Sequence, residues 1–171
     1  SEYNYNIYGT SLSKNYNKND PVYYLDLKNF NNIEKILNGI DTLIHCAGIA
    51  HTNIKNKNIY QDINYKGTVN LYDECEKYKV KKFIFISSIN VCVSNVENLN
   101  YPINEDTYSN NLNYYSNSKK KAEEKLISKS KKYNCQLIIL RPGLIYGPNV
   151  KGNFRSLLKL LNLNIPLPFN N

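Results

Sequence analysis

"KKFIFISSI", residues 81–89, decides how the rest of the chain is read. Four apolar side chains stand in an unbroken row between two lysines and two serines, too few for a helix and apolar on both faces of a strand. A strand buried on both sides belongs to a parallel sheet, and parallel neighbours need long crossovers that lie over the sheet, usually as helices. The chain on either side should then alternate short apolar runs with helical spacing.

Upstream, "TLIHCAG" (42–48) reads as a short buried strand, and "YNIYGTSL" (5–12) and "PVYYLDL" (21–27) as two earlier ones. Downstream, "CQLIILRPG" (135–143) reads as another buried strand. Between them, Phe30, Ile33, Ile36 and Leu37 recur at helical spacing, with Gly39 as a left-handed stop. A long helix is expected from Ile59 to Tyr78 on Ile59, Ile63, Val69 and Leu71, although Gly67 weakens its middle by about 1 kcal/mol relative to alanine. Helical spacing resumes with Tyr115, Ala122, Leu126 and Ile127, and a last helix is expected from Phe154 to Leu163. The Asn-rich stretch from Asn15 to Asp20 reads as a surface loop, and the connection from Asn90 to Asn113 is long enough to be functional. Right-handed crossovers turn this order into an α/β fold, a doubly wound parallel sheet with helices on both faces.

With 171 residues and 42% hydrophobic content the chain fits one domain with a real core, not a disordered tail. No apolar run approaches the ~20 residues that span a bilayer, so a soluble, cytoplasmic protein with no transmembrane segment is expected. Cys46, Cys75, Cys92 and Cys135 lack metal-binding or disulfide-framework spacing and read as reduced, mostly buried thiols; no metal site is expected. The net charge of +8 is nearly all lysine and accompanies heavy Asn, Tyr and Ile usage, a background of AT-rich codons. The lysine clusters at 119–121 and 129–132, set among Glu123 and Glu124, read as a solvated helix face, and no nucleic-acid module accompanies them. No nucleic-acid partner is expected. His45 reads as a core histidine, His51 as a loop residue open to a substrate contact, and Glu105 and Asp106 as solvated turn residues. The absence of methionine suggests that the natural N-terminus lies upstream.

Ligands of parallel α/β sheets gather beyond the carboxyl ends of the strands. Those ends carry Asp26, Ala47, Gly48, Ser87, Ser88, Arg141, Pro142 and Gly143. Three Tyr-x-x-x-Lys spacings occur, Tyr24 with Lys28, Tyr78 with Lys82, and Tyr115 with Lys119. Chance gives about two in a chain this rich in both, so spacing alone decides nothing. Only Tyr115 and Lys119 fall within one predicted helix, on one face and a turn apart. A phenol of ordinary pKa near 10 needs a neighbouring positive charge to act as a base, and Lys119 is expected to provide it. Ser88, ending the strand beside that helix, can hydrogen-bond a substrate oxygen while the tyrosine moves its proton. Read without chemistry, Tyr115 is a capping aromatic, Lys119 a surface charge and the serines a strand cap.

Four segments in order, "LDLKNFNNIEKILNGIDTLIHCAG" (25–48), "DINYKGTVNLYDECEKYKVKKFIFISSINV" (62–91), "YYSNSKKKAEE" (114–124) and "LIILRPGLIYGP" (137–148), resemble the extended short-chain dehydrogenase/reductase family, in its nucleotide-sugar epimerase and dehydratase branch. The resemblance implies a Rossmann-like domain and catalytic roles for Ser88, Tyr115 and Lys119. It implies NAD or NADP held by Asp26, Leu27, Ala47, Gly48, Asn64, Tyr115, Lys119, Pro142 and Gly143. It implies a nucleotide-sugar substrate met by Ser88, Asn90, Lys151, Asn153 and Phe154, with Arg155 facing either a phosphate or solvent. A homodimer through the two long helices is implied as well.

Against that family, the glycine-rich turn and its flanking strand and helix have no counterpart, and "YGTSL" holds the only early glycine. Residues 1–171 are thus expected to form a single partial NAD(P)-binding domain, missing its first βα unit and the C-terminal substrate domain, with 150–171 starting the substrate-binding segment. The reaction the resemblance implies is 4-epimerisation of a UDP-hexose or UDP-N-acetylhexosamine by transient hydride transfer. A dehydratase is disfavoured because Ile89 and Asn90, not an acidic pair, follow Ser88. An NADP-dependent 4-keto-sugar reductase stays open, since Ser11, Ser13 and Lys14 would tolerate a 2′-phosphate. A non-catalytic dinucleotide-binding protein or an inactive remnant is the alternative of another class.

Overall fold

Among the described residues the named strands pair in parallel, and the pairing falls into two sets. The computed structural model describes residues 5–13, 21–50, 57–93, 102–110, 112–147 and 153–162. Strands β1 (Gly9–Ser11) and β2 (Val22–Tyr24) form a two-stranded ladder. Strands β3 (Thr42–His45), β4 (Lys82–Ile86) and β5 (Gln136–Leu140) form a second sheet with β4 in the centre. In register, Phe83 pairs with Leu43 and Leu137, and Phe85 with His45 and Ile139. The expected single sheet is therefore divided, because the ladder bonds of β1 run to β2 and none joins either strand to β3 among the described residues. The chain between the two sets is taken up by turns and the four-residue helix α1 (Glu34–Leu37), closed by Gly39 at φ +76° as anticipated.

Residues 81–89 behave as their composition demands on one face only. Phe83 and Phe85 are fully buried against Leu71, Tyr72, Cys75, Ala122 and Leu126, the inward residues of α3 (Thr68–Lys77) and α4 (Tyr114–Ser130). The other face is thinly covered: Ile44 is 60% exposed and Leu140 is 47% exposed, which corrects the expectation of strands buried on both sides. Ile127, counted among the inward residues of α4, is exposed as well. The last helix, α5 (Asn153–Leu161), opens one residue before the expected Phe154.

The predicted long helix over 59–78 is three pieces in sequence: α2 (Lys57–Tyr60), a π-helical stretch Gln61–Gly67, and α3. Widening of this kind commonly marks a functional helix. Gly67 is the reason the stretch can lie where it does. A Cβ there would stand 2.9 Å from the Leu27 Cβ and 3.0 Å from the Leu27 carbonyl oxygen, so only glycine admits this approach of helix to loop. The helix ends in a Schellman turn: the Val80 N–H donates to Cys75 O (2.9 Å) and the Lys79 N–H to Glu76 O (3.1 Å), with Lys79 in the left-handed region at φ 59°. That turn delivers the chain into β4. Among the described residues no helix is long and apolar enough to cross a membrane. Cys75, Cys92 and Cys135 are buried free thiols, and Cys46 is an exposed one.

Candidate active site

The carboxyl ends of β3, β4 and β5 lie along one edge, and the N-terminal turn of α4 reaches it. Asn113 caps α4, its Oδ1 accepting the Ser116 N–H at 2.9 Å, so the cap is not Tyr115. In the first turn, the Tyr115 phenol lies where the Ser88 hydroxyl can donate to it, an interaction that works to lower the phenol's pKa. The Ser88 Oγ also accepts the Asn90 N–H at 3.2 Å, which fixes the hydroxyl at the strand end and leaves its proton for the phenol. Tyr115 and Ser88 thus meet as the sequence reading required.

Lys119 departs from that reading in two ways. It is 4% exposed and not part of a solvated face, and Glu123 beside it is fully buried. Its Nζ donates to the Ile86 carbonyl at 3.0 Å and sits 4.6 Å from the centre of the Phe85 ring. Burial lowers its pKa to about 8, against the opposing charges of Cys46 and Glu123. The Tyr115 phenol is correspondingly not made acidic: burial raises its pKa, and the Ser88 hydrogen bond offsets this only in part. The ammonium donates to the Ile86 carbonyl, and desolvation is the larger influence at the tyrosine, opposite in direction to the acidification expected from Lys119.

Gly48 forms the floor of the exposed turn after β3. A Cβ on it would lie 3.1 Å from Asn64 Oδ1 and 3.5 Å from the Lys119 amine. Asn64 is fully buried; its Oδ1 accepts the Ile49 N–H (2.8 Å) and its Nδ2 donates to Ile49 O (2.9 Å) and Ser118 Oγ (3.2 Å). The Ser118 hydroxyl in turn donates to Tyr115 O (2.7 Å). Asn64 is accordingly a brace between the Gly48 turn and the first turn of α4. His45, buried below the turn, stays neutral, its pKa lowered to about 3 by burial and then by the charge of Lys119. The Thr68 hydroxyl donates to Asn64 O (2.8 Å), so the 2.9 Å contact with His45 must use the ring Nε2–H as donor.

Other predicted residues are placed less closely. Asp26 closes its own turn, its Oδ1 accepting the Lys28 N–H at 2.9 Å, and Leu27 packs under Gly67. Ala47 is exposed in the Gly48 turn, and Asn90 is exposed just past Ser88. Pro142 O accepts the Ile89 N–H at 3.0 Å, tying the exits of β4 and β5, and Gly143 faces open space. Asn153 and Phe154 open α5. His51, Lys14, Lys151 and the stretch from Asn15 to Asp20 lie outside the described residues. Glu105 and Asp106 form an exposed turn as read. Ser87, placed at a strand end by the sequence but given no role there, has a buried Oγ with no hydrogen-bond partner; what sequence reasoning passed over is the Glu123–Arg141 pair. An acid four residues beyond Lys119 on the same helix face was the available signal for the pair.

An exposed glycine turn, a buried amine close beside it and an unpaired hydroxyl at the next strand end fit a polar ligand lying across the strand ends. Among the described residues no three of His, Cys, Asp and Glu gather as a metal site. The fold recurs in solved structures. UDP-glucuronic acid 4-epimerase from Bacillus cereus, in complex with NAD, superposes with a TM-score of 0.69 at 26% identity over 87% of this chain and 48% of that one. RMD from Pseudomonas aeruginosa, complexed with NADPH, gives 0.65 at 25% identity over 77% and 47%.

Such a parallel α/β arrangement with its ligand edge is Rossmann-like. The sequence profile of the NAD dependent epimerase/dehydratase family matches residues 2–165, and the chain belongs to that family. A similar characterised protein is the UDP-glucose 4-epimerase of Vibrio cholerae, 35% identical over 167 residues, which are 90% of this chain and 48% of that protein. The chain therefore spans about half the length of this relative.

Proposed function

We propose that this chain carries the proton-handling part of a nicotinamide-dependent nucleotide-sugar 4-epimerase acting on a UDP-hexose or UDP-N-acetylhexosamine. The observation that carries the reading is the meeting of Ser88 and Tyr115 at the strand ends, one helical turn from a buried lysine amine that lies beside the Gly48 turn. The activity of the Vibrio cholerae relative and of the Bacillus cereus neighbour supports the substrate class. Gly48, Ala47 and the Lys119 amine would hold an NAD or NADP molecule, with Pro142 and Gly143 at its far side. When bound, that group accepts hydride from the sugar carbon and gives it back.

The chain's own residues manage the proton. Ser88 orients the sugar hydroxyl toward Tyr115, and Tyr115 takes or returns the proton at that oxygen. Burial favours the neutral phenol, so proton return is the easier half and proton removal draws on the phenolate, whose share grows with pH. An epimerase must do both, and its turnover should rise as pH is raised above neutrality. The held proton also favours a second reading, a 4-keto-sugar reductase, which only donates and should slow over the same range.

The test uses the gene product at its full length, titrated with NAD and NADP and assayed on UDP-glucose, UDP-N-acetylglucosamine and a 4-keto sugar nucleotide. Tyr115→Phe should lower turnover by about 10²–10⁴-fold while leaving the unfolding transition in place. Dinucleotide binding without turnover, unchanged by Tyr115→Phe, would leave a binding protein and no epimerase.

A further inference from the structure

Glu123 is fully buried four residues beyond Lys119, on the same face of α4. Its carboxylate accepts from Arg141 Nε (3.2 and 3.1 Å to the two oxygens) and Nη2 (2.7 Å), and from the Tyr108 hydroxyl (3.0 Å). The fourth grip is indirect: Arg141 Nη1 donates to Glu105 O at 2.7 Å and lies 3.5 Å from Cys92 Sγ. The guanidinium also stacks 4.4 Å from the centre of the Tyr108 ring. One carboxylate thereby joins α4, the exit of β5, the turn after β4 and the 105–108 connection. Burial works against the Arg141 charge, and the bonds to Glu123 more than offset it.

A buried ion pair of this kind is rarely a net gain over apolar residues of the same volume, so its presence asks for another role. Its neighbour supplies one. The Lys119 amine sits in the same interior, with His45 and Cys46 from β3 and its sequel, the Ile86 carbonyl and Phe85 ring from β4, and Glu123 one turn along its own helix face. His45 is neutral there, and Cys46 adds negative charge only as a thiolate. Glu123, gripped by a guanidinium, is the fixed anion.

We propose that Glu123 is a positioning residue for Lys119: a buried counter-charge one turn along the same helix face, fixed by Arg141 and Tyr108, that keeps the amine protonated. Its use in turnover rests on the epimerase reading above, whereas the titration of the amine does not. The full chain, labelled with carbon-13 at the lysine ε-carbons, is followed by NMR across about pH 6–10, with Lys119 assigned by its loss in Lys119→Met.

In Glu123→Gln the Lys119 midpoint should fall by about half a pH unit or more, a threefold loss of proton affinity, because the guanidinium is left uncompensated. Replacing both partners, Glu123→Met with Arg141→Met, keeps the interior packed and should move the midpoint the same way by less. Tyr108→Phe, which removes no charge, should leave it in place. A folded Glu123→Gln with an unmoved or raised midpoint overturns the proposal. So does failure of both Glu123 variants to fold, which would assign the pair to the fold alone. A shifted midpoint in a protein that turns over no nucleotide sugar sinks the epimerase reading and not this one.

Discussion

The β3–β4–β5 sheet with α3 and α4 and the β1–β2 pair are built from similar residue types and reach different ends. In the first, Phe83, Phe85, Tyr72, Leu71 and Leu126 are buried, and Gly48, Asn64, Ser88, Tyr115 and Lys119 hang from that body or from the turns it anchors. In the second, Tyr5, Ile7, Tyr8, Leu12, Tyr23 and Tyr24 are all exposed, and the ladder among the described residues is three positions long. Apolar content alone does not make a core; a helix has to lie over it. Stability and the candidate chemistry should therefore travel together in one region and be nearly indifferent to the other.

The widest separation of the two regions comes from truncating an aromatic in each. Phe85→Ala removes a fully buried ring that also carries Lys119 and His45, and should cost about 3–5 kcal/mol in urea unfolding. Tyr8→Ala should change stability by no more than about 0.5 kcal/mol. Equal losses at the two positions would erase the contrast.

Acid should act on the first region through His45. Its folded pKa of about 3 lies below the unfolded value near 6.5, so an unfolding chain takes up a proton between those limits. The stabilisation is full above pH 6.5 and is lost as pH falls toward 3, at about 1.4 kcal/mol per pH unit. Urea midpoints at several pH values, native against His45→Gln, measure the slope; a variant no flatter than the native chain would remove the histidine from the account.

Smaller effects test how the two regions meet. Gly67→Ala forces a Cβ into the Leu27 backbone and should lose about 1–3 kcal/mol, whereas Gly143→Ala, with open space around it, should lose almost nothing. Lys79→Gly relieves a left-handed lysine at the end of α3 and should gain about 0.5–1 kcal/mol, seen as a raised Tm.

Much of this was legible in the sequence because local patterning and tertiary packing agree in the central body. Residues 82–86 could only be a strand, and the Tyr115–Lys119 spacing became meaningful once a capped helix was assigned to it. What stayed hidden depends on contacts between distant segments. The π-helical stretch ends at Gly67 where Leu27 lies against it, a contact across forty residues of sequence that helix propensity cannot predict. Lys119 and Glu123 look like solvated charges because their neighbours at 120, 121 and 124 are lysines and an acid too; only the docking of α4 on β4 separates the buried pair from the surface ones. The division of the strands into two sets was equally invisible, since each strand reads the same whether or not its next neighbour is present.

The side-chain amide of Asn64 offers Ile49 one acceptor and one donor, as an adjacent backbone would. The loop after β3 is in effect paired with a surrogate for a strand, and so can stay open to solvent and still hold its shape. A molecule alighting there finds its berth already rigid, and little of its binding energy is diverted into freezing the loop.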